Sequence, residues 1–222
     1  MSILHTRRFS SWARGHLLCS VDERPDRFAI TFDDGPNPNA TDAVLDVLAR
    51  HDARATFFML GGHVRRRPEL ARRVVAAGHE AAVHGDTHWP MPLLLPGAMR
   101  GQVRRCAASI EAATGTSPRF YRPPFGFMTP GQARFIRGLG FESVLGDVYP
   151  EDPHRPGAGR IATRVLRRLS GGSILILHDG SPFGAADRSQ TVEALGAILG
   201  EMGRRGLRGV TVAELVGDRK IF

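Results

Sequence analysis

Several features are scarce in this chain of 222 residues, and each scarcity excludes a class of protein. Cys19 and Cys106 are the only cysteines, too few for a disulfide scaffold and without the CxxC spacing of a thiolate metal site. No apolar run approaches the length that crosses a bilayer, so we expect no transmembrane segment. The first twenty residues contain only a very short apolar piece at Leu17 and Leu18, which is a poor secretory signal. We therefore expect free thiols and a cytoplasmic protein.

Positive charge is abundant, but it comes almost entirely from arginine, because Lys220 is the only lysine. A formal net charge of +8 would attract anionic partners through the summed field of the molecule. The arginines are scattered, however, at positions where helices would present a solvated face. No basic stripe with interleaved aromatic residues accompanies them, so we expect no nucleic-acid partner.

Short apolar strands alternate with amphipathic helices along most of the chain. Residues 28–32 predict a buried strand, and residues 39–50 then change to helical spacing, with Asn39 or Thr41 as the helix cap. The alternation repeats about seven times and ends with a predicted strand over residues 209–212. The pattern predicts parallel strands that are covered by helices.

The chain shows no linker-like or low-complexity stretch, which favours a single domain. We assign a lead segment to residues 1–27, a catalytic domain to residues 28–216 and a tail to residues 217–222. The sheet could be open or closed into a barrel. Polar residues fall at the carboxyl ends of several predicted strands, as catalytic groups do in α/β barrels, and this favours the barrel.

Two histidines four residues apart, His84 and His88, follow the predicted strand over residues 80–83. Such a pair is often structural until a carboxylate can be named that completes a metal site. Asp34, after the first strand, can complete it, and two imidazoles with one carboxylate leave positions open for water and substrate. Asp86 is a rival ligand, but it lies between the histidines and would more naturally point away or brace one of them.

Five further strand-end or loop residues have useful chemistry. Asp33 lies beside Asp34 before a Gly-Pro turn, and His178 ends an apolar strand where an imidazole can protonate a leaving amine. Two prolines after Arg122 stiffen a segment suited to holding a carboxylate. Asp152 could orient His178 and raise its basicity, while Asp147 follows another predicted strand.

The motifs TFDDGP, HGDTH, RPPFG, DVYPED and LILHD occur together in the order and approximate spacing of one known family. The chain resembles the NodB-type polysaccharide deacetylases, carbohydrate esterase family four, over about residues 28–212. The resemblance implies a distorted (β/α)7 barrel that removes an N-acyl group, most often acetyl, from an amino sugar. It implies one divalent metal, Zn²⁺ before Co²⁺, Ni²⁺ or Fe²⁺, and the attack of a metal-activated water.

The resemblance also implies a role for each motif residue. The general base is Asp33 and the general acid is His178, with Arg122 orienting the base, Asp152 tuning the acid, and Asp34, His84 and His88 binding the metal.

Residues of the RPPFG and LILHD motifs are expected to line the acyl pocket: Pro124, Phe125, Gly126 and Ile176. Pro153 stands where relatives often carry a tryptophan, and Phe125 replaces a frequent tyrosine or tryptophan, so formyl, acetyl and longer acyl groups all remain open. We expect a monomer that acts on an N-acylated amino sugar, its oligomer or a conjugate. A small, lipid-linked or nucleotide-linked sugar is favoured. The alternatives are an amidase or deformylase for a non-polymeric or non-sugar amide and a catalytically silent sugar-binding module.

Overall fold

The computed structural model describes residues 16–218 of the chain. Residues 1–15 of the predicted lead segment and residues 219–222 of the predicted tail lie outside the described residues. The strands of the sheet are β1 (Arg27–Gly35), β2 (Thr56–Met59), β3 (Glu80–Val83), β4 (Phe120–Tyr121), β5 (Glu142–Ser143), β6 (Ile174–His178) and β7 (Arg208–Val210).

The helices of the described residues follow the strands in alternation. They are α1 (Thr41–Arg50), α2 (Gly61–Arg66), α3 (Pro68–Ala76), α4 (Pro96–Thr114), α5 (Pro130–Gly138), α6 (Ala158–Leu166), α7 (Ser189–Arg204) and α8 (Val212–Val216). Short 3₁₀ turns lie at Met91–Leu93, Pro124–Gly126 and Asp152–His154. Among residues 16–218, no helix has both the length and the apolar character needed to span a bilayer.

The seven strands pair in parallel in the order β5-β4-β3-β2-β1-β6, and β7 pairs with the first residues of β1. Isolated bridges fill the gap between the outer strands β5 and β6: Leu18 with Val144, Ser20 with Ser173, and Val148 with Leu175. The sheet therefore curls into the distorted barrel that the sequence predicts. The bounds of the catalytic domain stay a prediction.

The two faces of β1 show how the sheet is layered. Phe28, Ile30 and Phe32 pack outward in the large core beneath the helices, because alternate side chains of a strand point to opposite faces. Ala29 points inward, where it packs with the inner residues of neighbouring strands and with α8. Thr31 follows on the same inner face, and its hydroxyl contacts Arg122 of the β4 loop. The barrel interior thus changes from apolar at the amino ends of the strands to polar at their carboxyl ends.

The helix ends agree only partly with the sequence. Thr129 caps α5 through a complete capping box with Gln132, as its Thr-Pro signature predicts. The predicted cap of α1 is wrong: Ala40 occupies the cap position and no side chain caps the helix. The Thr41 hydroxyl instead donates a hydrogen bond to Asp179, at 2.6 Å. A side chain with a tertiary partner is not available to cap its own helix.

Two short helices, α2 and α8, were not expected from the sequence. Residue Val212, predicted as the end of the last strand, is the first residue of α8 and follows a capping box at Thr211. Because α8 packs beneath the inner apolar cluster, its hydrophobic residues resemble a buried strand in the sequence.

Candidate metal centre and active site

Asp34, His84 and His88 meet at the carboxyl end of the barrel. Oδ1 of Asp34 lies 3.5 Å from Nε2 of His84 and 3.4 Å from Nε2 of His88, and one ligand atom from each residue lies within 4.8 Å of the others. The parallel sheet explains this meeting, since β1 and β3 both end at this edge, on either side of β2. The predicted set of three side chains is therefore brought together.

The chemistry of these three side chains fits a divalent cation. Nδ1 of His84 donates a hydrogen bond to the carbonyl of Arg122, at 2.9 Å, which leaves the Nε2 lone pair free to bind a metal. Burial, with the charge of His84, lowers the pKa of His88 to about 4, so its imidazole is neutral. Oδ1 of Asp34 is buried without a hydrogen-bond partner. Two imidazole nitrogens and an unpaired carboxylate oxygen are the donor set of a catalytic zinc-type site.

The backbone around Asp34 is held from two sides. Asp34 has a left-handed φ of 69° and is followed by a cis bond between Gly35 and Pro36. Its carbonyl oxygen accepts a hydrogen bond from Nδ1 of His63, at 2.9 Å. On another side the chain passes so close that a Cβ at Gly180 would lie 1.9 Å from the same oxygen. This packing sets the direction of the Asp34 carboxylate.

Asp33, beside Asp34 on the chain, forms a buried ion pair with Arg122. Nη1 of Arg122 donates to Oδ1 of Asp33 at 2.6 Å and to the hydroxyl of Thr31 at 2.7 Å, and the guanidinium lies 4.0 Å from the centre of the Phe58 ring. Burial by itself raises the pKa of Asp33, but the charge of Arg122, with smaller contributions from two histidines, outweighs it and lowers the pKa. Asp33 is therefore an ionised carboxylate, the state that accepts a proton.

His178 and Asp152 form the second polar pair of the site. Nδ1 of His178 lies 3.0 Å from Oδ1 of Asp152, and the other Asp152 oxygen accepts hydrogen bonds from the backbone N–H of His178 and from the Thr191 hydroxyl. Burial lowers the pKa of His178, but the charge and hydrogen bond of Asp152 dominate and raise it to about 9. The imidazole is thus protonated near neutral pH, and its Nε2–H faces away from Asp152.

The predicted pocket residues lie on both sides of this arrangement. Pro124, Phe125 and Gly126 form one 3₁₀ turn. The exposed ring of Phe125 stands edge-on to His88, with ring centroids 4.4 Å apart. Ile176 lies two residues before His178 on β6 and packs so closely on Gly146 that a Cβ there would meet it at 2.8 Å. Phe125 is therefore beside a candidate metal ligand, and Ile176 is beneath the candidate acid.

Two carboxylates that were considered from the sequence lie outside the site. Asp86 points away from the cluster and pairs with Arg65 at 2.6 Å and Arg105 at 3.1 Å. Asp147 accepts hydrogen bonds from the backbone of Ile174 and from the hydroxyl of Ser173. These partners lie at the start of β6, so Asp147 forms its hydrogen bonds at the opposite end of that strand from His178.

Sequence reasoning missed Asp179, which directly follows His178. It is fully buried; Thr41 donates to its Oδ2, and Asn37 donates to its carbonyl oxygen at 2.9 Å. Its carboxyl packs on Gly35, where a Cβ would lie 2.5 Å from both oxygens. Burial raises the pKa of Asp179 to about 7, with the charge of Asp34 acting in the same direction. Asp179 therefore supports the turn that carries Asp34, a role with no sequence signal except its place in the LILHD motif.

Known proteins are similar to this chain in sequence. The family model described as polysaccharide deacetylase matches residues 20–144. A chitooligosaccharide deacetylase of Bradyrhizobium sp. is 40% identical over 185 residues, which cover 80% of this chain and 84% of that protein. A peptidoglycan-N-acetylglucosamine deacetylase of Bacillus cereus is 35% identical over 204 residues, 91% of this chain and 93% of that protein.

Solved structures agree with this assignment. The crystal structure of a peptidoglycan N-acetylglucosamine deacetylase has a TM-score of 0.87 and 26% identity, over 92% of this chain and 95% of that one. A pseudoenzyme of carbohydrate esterase family four from Bacillus anthracis has a TM-score of 0.81 and 25% identity, over 89% of this chain and 67% of that one. A mutant of that pseudoenzyme with restored activity matches equally well.

A curled α/β barrel with a metal-type cluster between a buried carboxylate and a protonated histidine has the components of a metal-dependent hydrolase. The chain belongs to the polysaccharide deacetylase family. The predicted family, fold and hydrolase class are confirmed, and the family generally uses one divalent metal.

Proposed function

We propose that this chain removes the N-acetyl group from N-acetylglucosamine or a related amino sugar within an oligomer or conjugate. The observation that carries the proposal is the position of the cluster of Asp34, His84 and His88. The proposed base, the ionised Asp33, directly precedes the cluster residue Asp34. The proposed acid, His178, lies at the end of the neighbouring strand β6. Relatives named as chitooligosaccharide and peptidoglycan deacetylases support this substrate class.

The metal proposed for the cluster is Zn²⁺, because neutral imidazole nitrogens and a carboxylate oxygen suit it. When bound, the cation acidifies a water and polarises the acyl carbonyl. Asp34, His84 and His88 supply the three protein ligands, and His63 fixes the Asp34 backbone through the carbonyl oxygen.

The protons then move between the chain's own groups. Asp33 takes a proton from the attacking water, whose oxygen bonds to the acyl carbon. Arg122 keeps Asp33 ionised and directs one of its oxygens, so the other oxygen can serve as the base. His178 gives its Nε2 proton to the sugar nitrogen as the carbon–nitrogen bond breaks, leaving acetate and a free amine. Asp152 keeps His178 protonated and fixes the orientation of its ring for this step.

The acyl pocket is proposed to lie between Phe125 and Ile176. The Pro124–Gly126 turn forms one wall beside His88, and Ile176 forms the floor next to His178. Small apolar surroundings of this kind suit a methyl group, which favours acetyl as the acyl group. We propose a monomer as the working form.

The pseudoenzyme among the structural neighbours makes a silent sugar-binding protein the alternative, because the same fold exists without activity. The ion pair of Asp33 with Arg122 and the pair of His178 with Asp152 favour an active enzyme, since both acid–base groups are present in the protonation states that hydrolysis needs.

The test measures acetate release from N-acetylchitooligosaccharides and peptidoglycan fragments, with zinc-loaded and chelator-treated protein. Asp33→Asn removes the base, and Asp42→Asn makes the same change on the exposed surface of α1 as a matched control. We expect activity only in zinc-loaded wild type and in the Asp42 variant. Equal activity of chelated protein would refute the metal mechanism, and inactivity on every substrate would favour the silent alternative.

A further inference from the structure

Six large apolar side chains are exposed among residues 16–218, and all of them lie after strands whose carboxyl ends form the edge of the sheet that carries the metal cluster. They lie on loops that leave the carboxyl ends of β3, β4 and β6: Trp89, Leu93, Leu95, Phe125, Phe127 and Phe183. Leu93 is 73% exposed, Leu95 is 78% exposed and Phe183 is 97% exposed. Scattered single apolar residues are normal on a protein surface, but a cluster on one face marks an interaction site.

Five of these side chains form one surface, called here the apolar platform: Trp89, Leu93, Leu95, Phe125 and Phe127. The two segments that carry these side chains adjoin, because the side chain of Gln132, in the first turn of α5, donates a hydrogen bond to the Met91 carbonyl at 2.7 Å. Phe125 also contacts His88, the residue before Trp89.

The loop conformations keep the platform exposed. Met91 and Met128 are buried, one within each loop, and they anchor the backbone beneath the platform. Residues 89–96, WPMPLLLP, contain no charged side chain, and three prolines stiffen them. A loop that is stiffened by prolines and anchored by a buried methionine therefore keeps the leucines exposed to solvent. Their exposure does not stabilise the fold.

The charge around the platform is positive on balance. Residues 87–141, which form both loops and the helices after them, contain seven arginines and one acidic residue, Glu111. Three of these arginines are paired with carboxylates: Arg105 with Asp86, Arg119 with Glu142 and Arg122 with Asp33. Arg100 and Arg134 are exposed, and each is the fifth residue of a helix that begins at the platform, α4 and α5. Among the described contacts, no carboxylate pairs with either of them, so both are free to bind an anion one helical turn behind the apolar surface.

We infer that the apolar platform docks onto a lipid bilayer that carries anionic headgroups. Leucine and tryptophan enter the boundary between headgroups and acyl chains, and arginines one turn behind them reach the phosphates. A polysaccharide could stack on the aromatic faces of the platform, but it does not explain the two most exposed platform residues, Leu93 and Leu95, which offer no such face. The platform borders the metal cluster, so docking places the active site at the membrane surface.

Vesicle sedimentation of the purified full chain tests the inference. Vesicles of phosphatidylcholine alone are compared with vesicles that also contain phosphatidylglycerol, at low and high salt. We expect binding to the anionic vesicles that weakens with salt. Leu93→Asn with Leu95→Asn, which leaves the charge unchanged, should weaken binding at least about tenfold, because two leucines lose their apolar contact with lipid. Leu93→Phe with Leu95→Phe should keep binding.

A matched pair of arginine variants tests the charge. Arg100→Gln should weaken binding about threefold to tenfold, since one basic residue near an anionic surface contributes roughly 1 kcal/mol. Arg50→Gln, an exposed change at the end of α1 toward the opposite face, should not. A melting temperature equal to that of wild type shows that each variant is folded.

Three results would overturn the inference: no binding to either vesicle, equal binding by the Asn variant and wild type, or loss of chitin binding by the Asn variant without any vesicle binding. None of these measurements depends on hydrolysis, so their failure is distinct from failure of the deacetylase proposal.

Discussion

Replacing Asp152 with asparagine removes the charge that sets the protonation state of His178 while keeping the size of the side chain. In the wild type, Asp152 is fully buried and accepts three hydrogen bonds, one of them from Nδ1 of His178. Asparagine can preserve much of this geometry but carries no charge. The variant therefore isolates the electrostatic contribution of Asp152.

The expected effect follows from the pKa of His178. Asp152, with smaller contributions from Asp33 and Asp34, raises that pKa from its ordinary value of 6.5 to about 9 against the opposing effect of burial. At pH 7.5 His178 is then protonated in roughly 97% of molecules. Without the Asp152 charge the pKa should fall to about 6.5 or below, and the protonated fraction to about 10% or less. The proposed catalytic acid would be mostly lost at neutral pH.

The same shift affects stability. A raised pKa means that the pairing stabilises the folded state fully below pH 6.5 and that this stabilisation is lost as the pH rises through about 9. The difference in unfolding free energy between wild type and Asp152→Asn is thus at most about 3 kcal/mol at pH 6 and shrinks toward pH 10.

Two assays measure these changes. NMR titration of the His178 Cε1–H in metal-free protein gives the pKa directly, with a His178→Gln spectrum for assignment. The pH–rate profile of zinc-loaded protein gives the basic limb, which should move to lower pH in the variant. A bound cation lowers the pKa in both proteins, so the comparison is made within one metal state. An unchanged pKa in Asp152→Asn would refute the assignment of Asp152 as the cause.

Three further changes test the site and the fold. Gly180→Ala places a Cβ 1.9 Å from the Asp34 carbonyl oxygen and should displace the metal-binding turn, weakening Zn²⁺ binding in calorimetry at least about tenfold. His88→Ala removes one ligand, so added Zn²⁺ should no longer raise the melting temperature. Thr129→Ala removes the capping box of α5 and should cost about 1 kcal/mol, or roughly 2–4 °C in melting temperature.

Each of these has a contradicting outcome. Gly138→Ala, where an added Cβ meets nothing within 4 Å, serves as the control for Gly180→Ala, and equal Zn²⁺ affinity in both would show that the Asp34 turn relaxes freely. Zn²⁺ stabilisation that survives in His88→Ala contradicts the ligand set. A melting temperature of Thr129→Ala equal to that of wild type would show that the cap contributes nothing to stability.

Much of the fold was predictable because its signals are local. The strand over Glu80–Val83 and the helix after Thr129 appear in the sequence as an apolar run and a capping signature, which do not depend on distant residues. Asp34, His84 and His178 were predictable for a related reason: each stands at or just after a strand end, and parallel strands bring those ends to one edge of the sheet.

The remaining parts of the site depend on residues distant in sequence. His63 on α2 and Asp179 after β6 contact the Asp34 turn, but no sequence pattern around either residue indicates that contact. Thr41 has the signature of a cap and instead binds Asp179, because the hydroxyl of a helix end can bind whichever acceptor the tertiary structure brings close. Asp147 also stands near a strand end, and only the packing shows that it serves the other end of the barrel.

The sequence by itself determined the alternation of strands and helices and which side chains are candidates for the acid, the base and the metal ligands, since periodicity and residue chemistry are properties of the chain alone. The tertiary structure decided the protonation states and the exposed face. Burial and distant charges set the pKa of His178, and the contact between two separate segments turned isolated apolar residues into one platform. Both depend on distances that form only when the chain is folded.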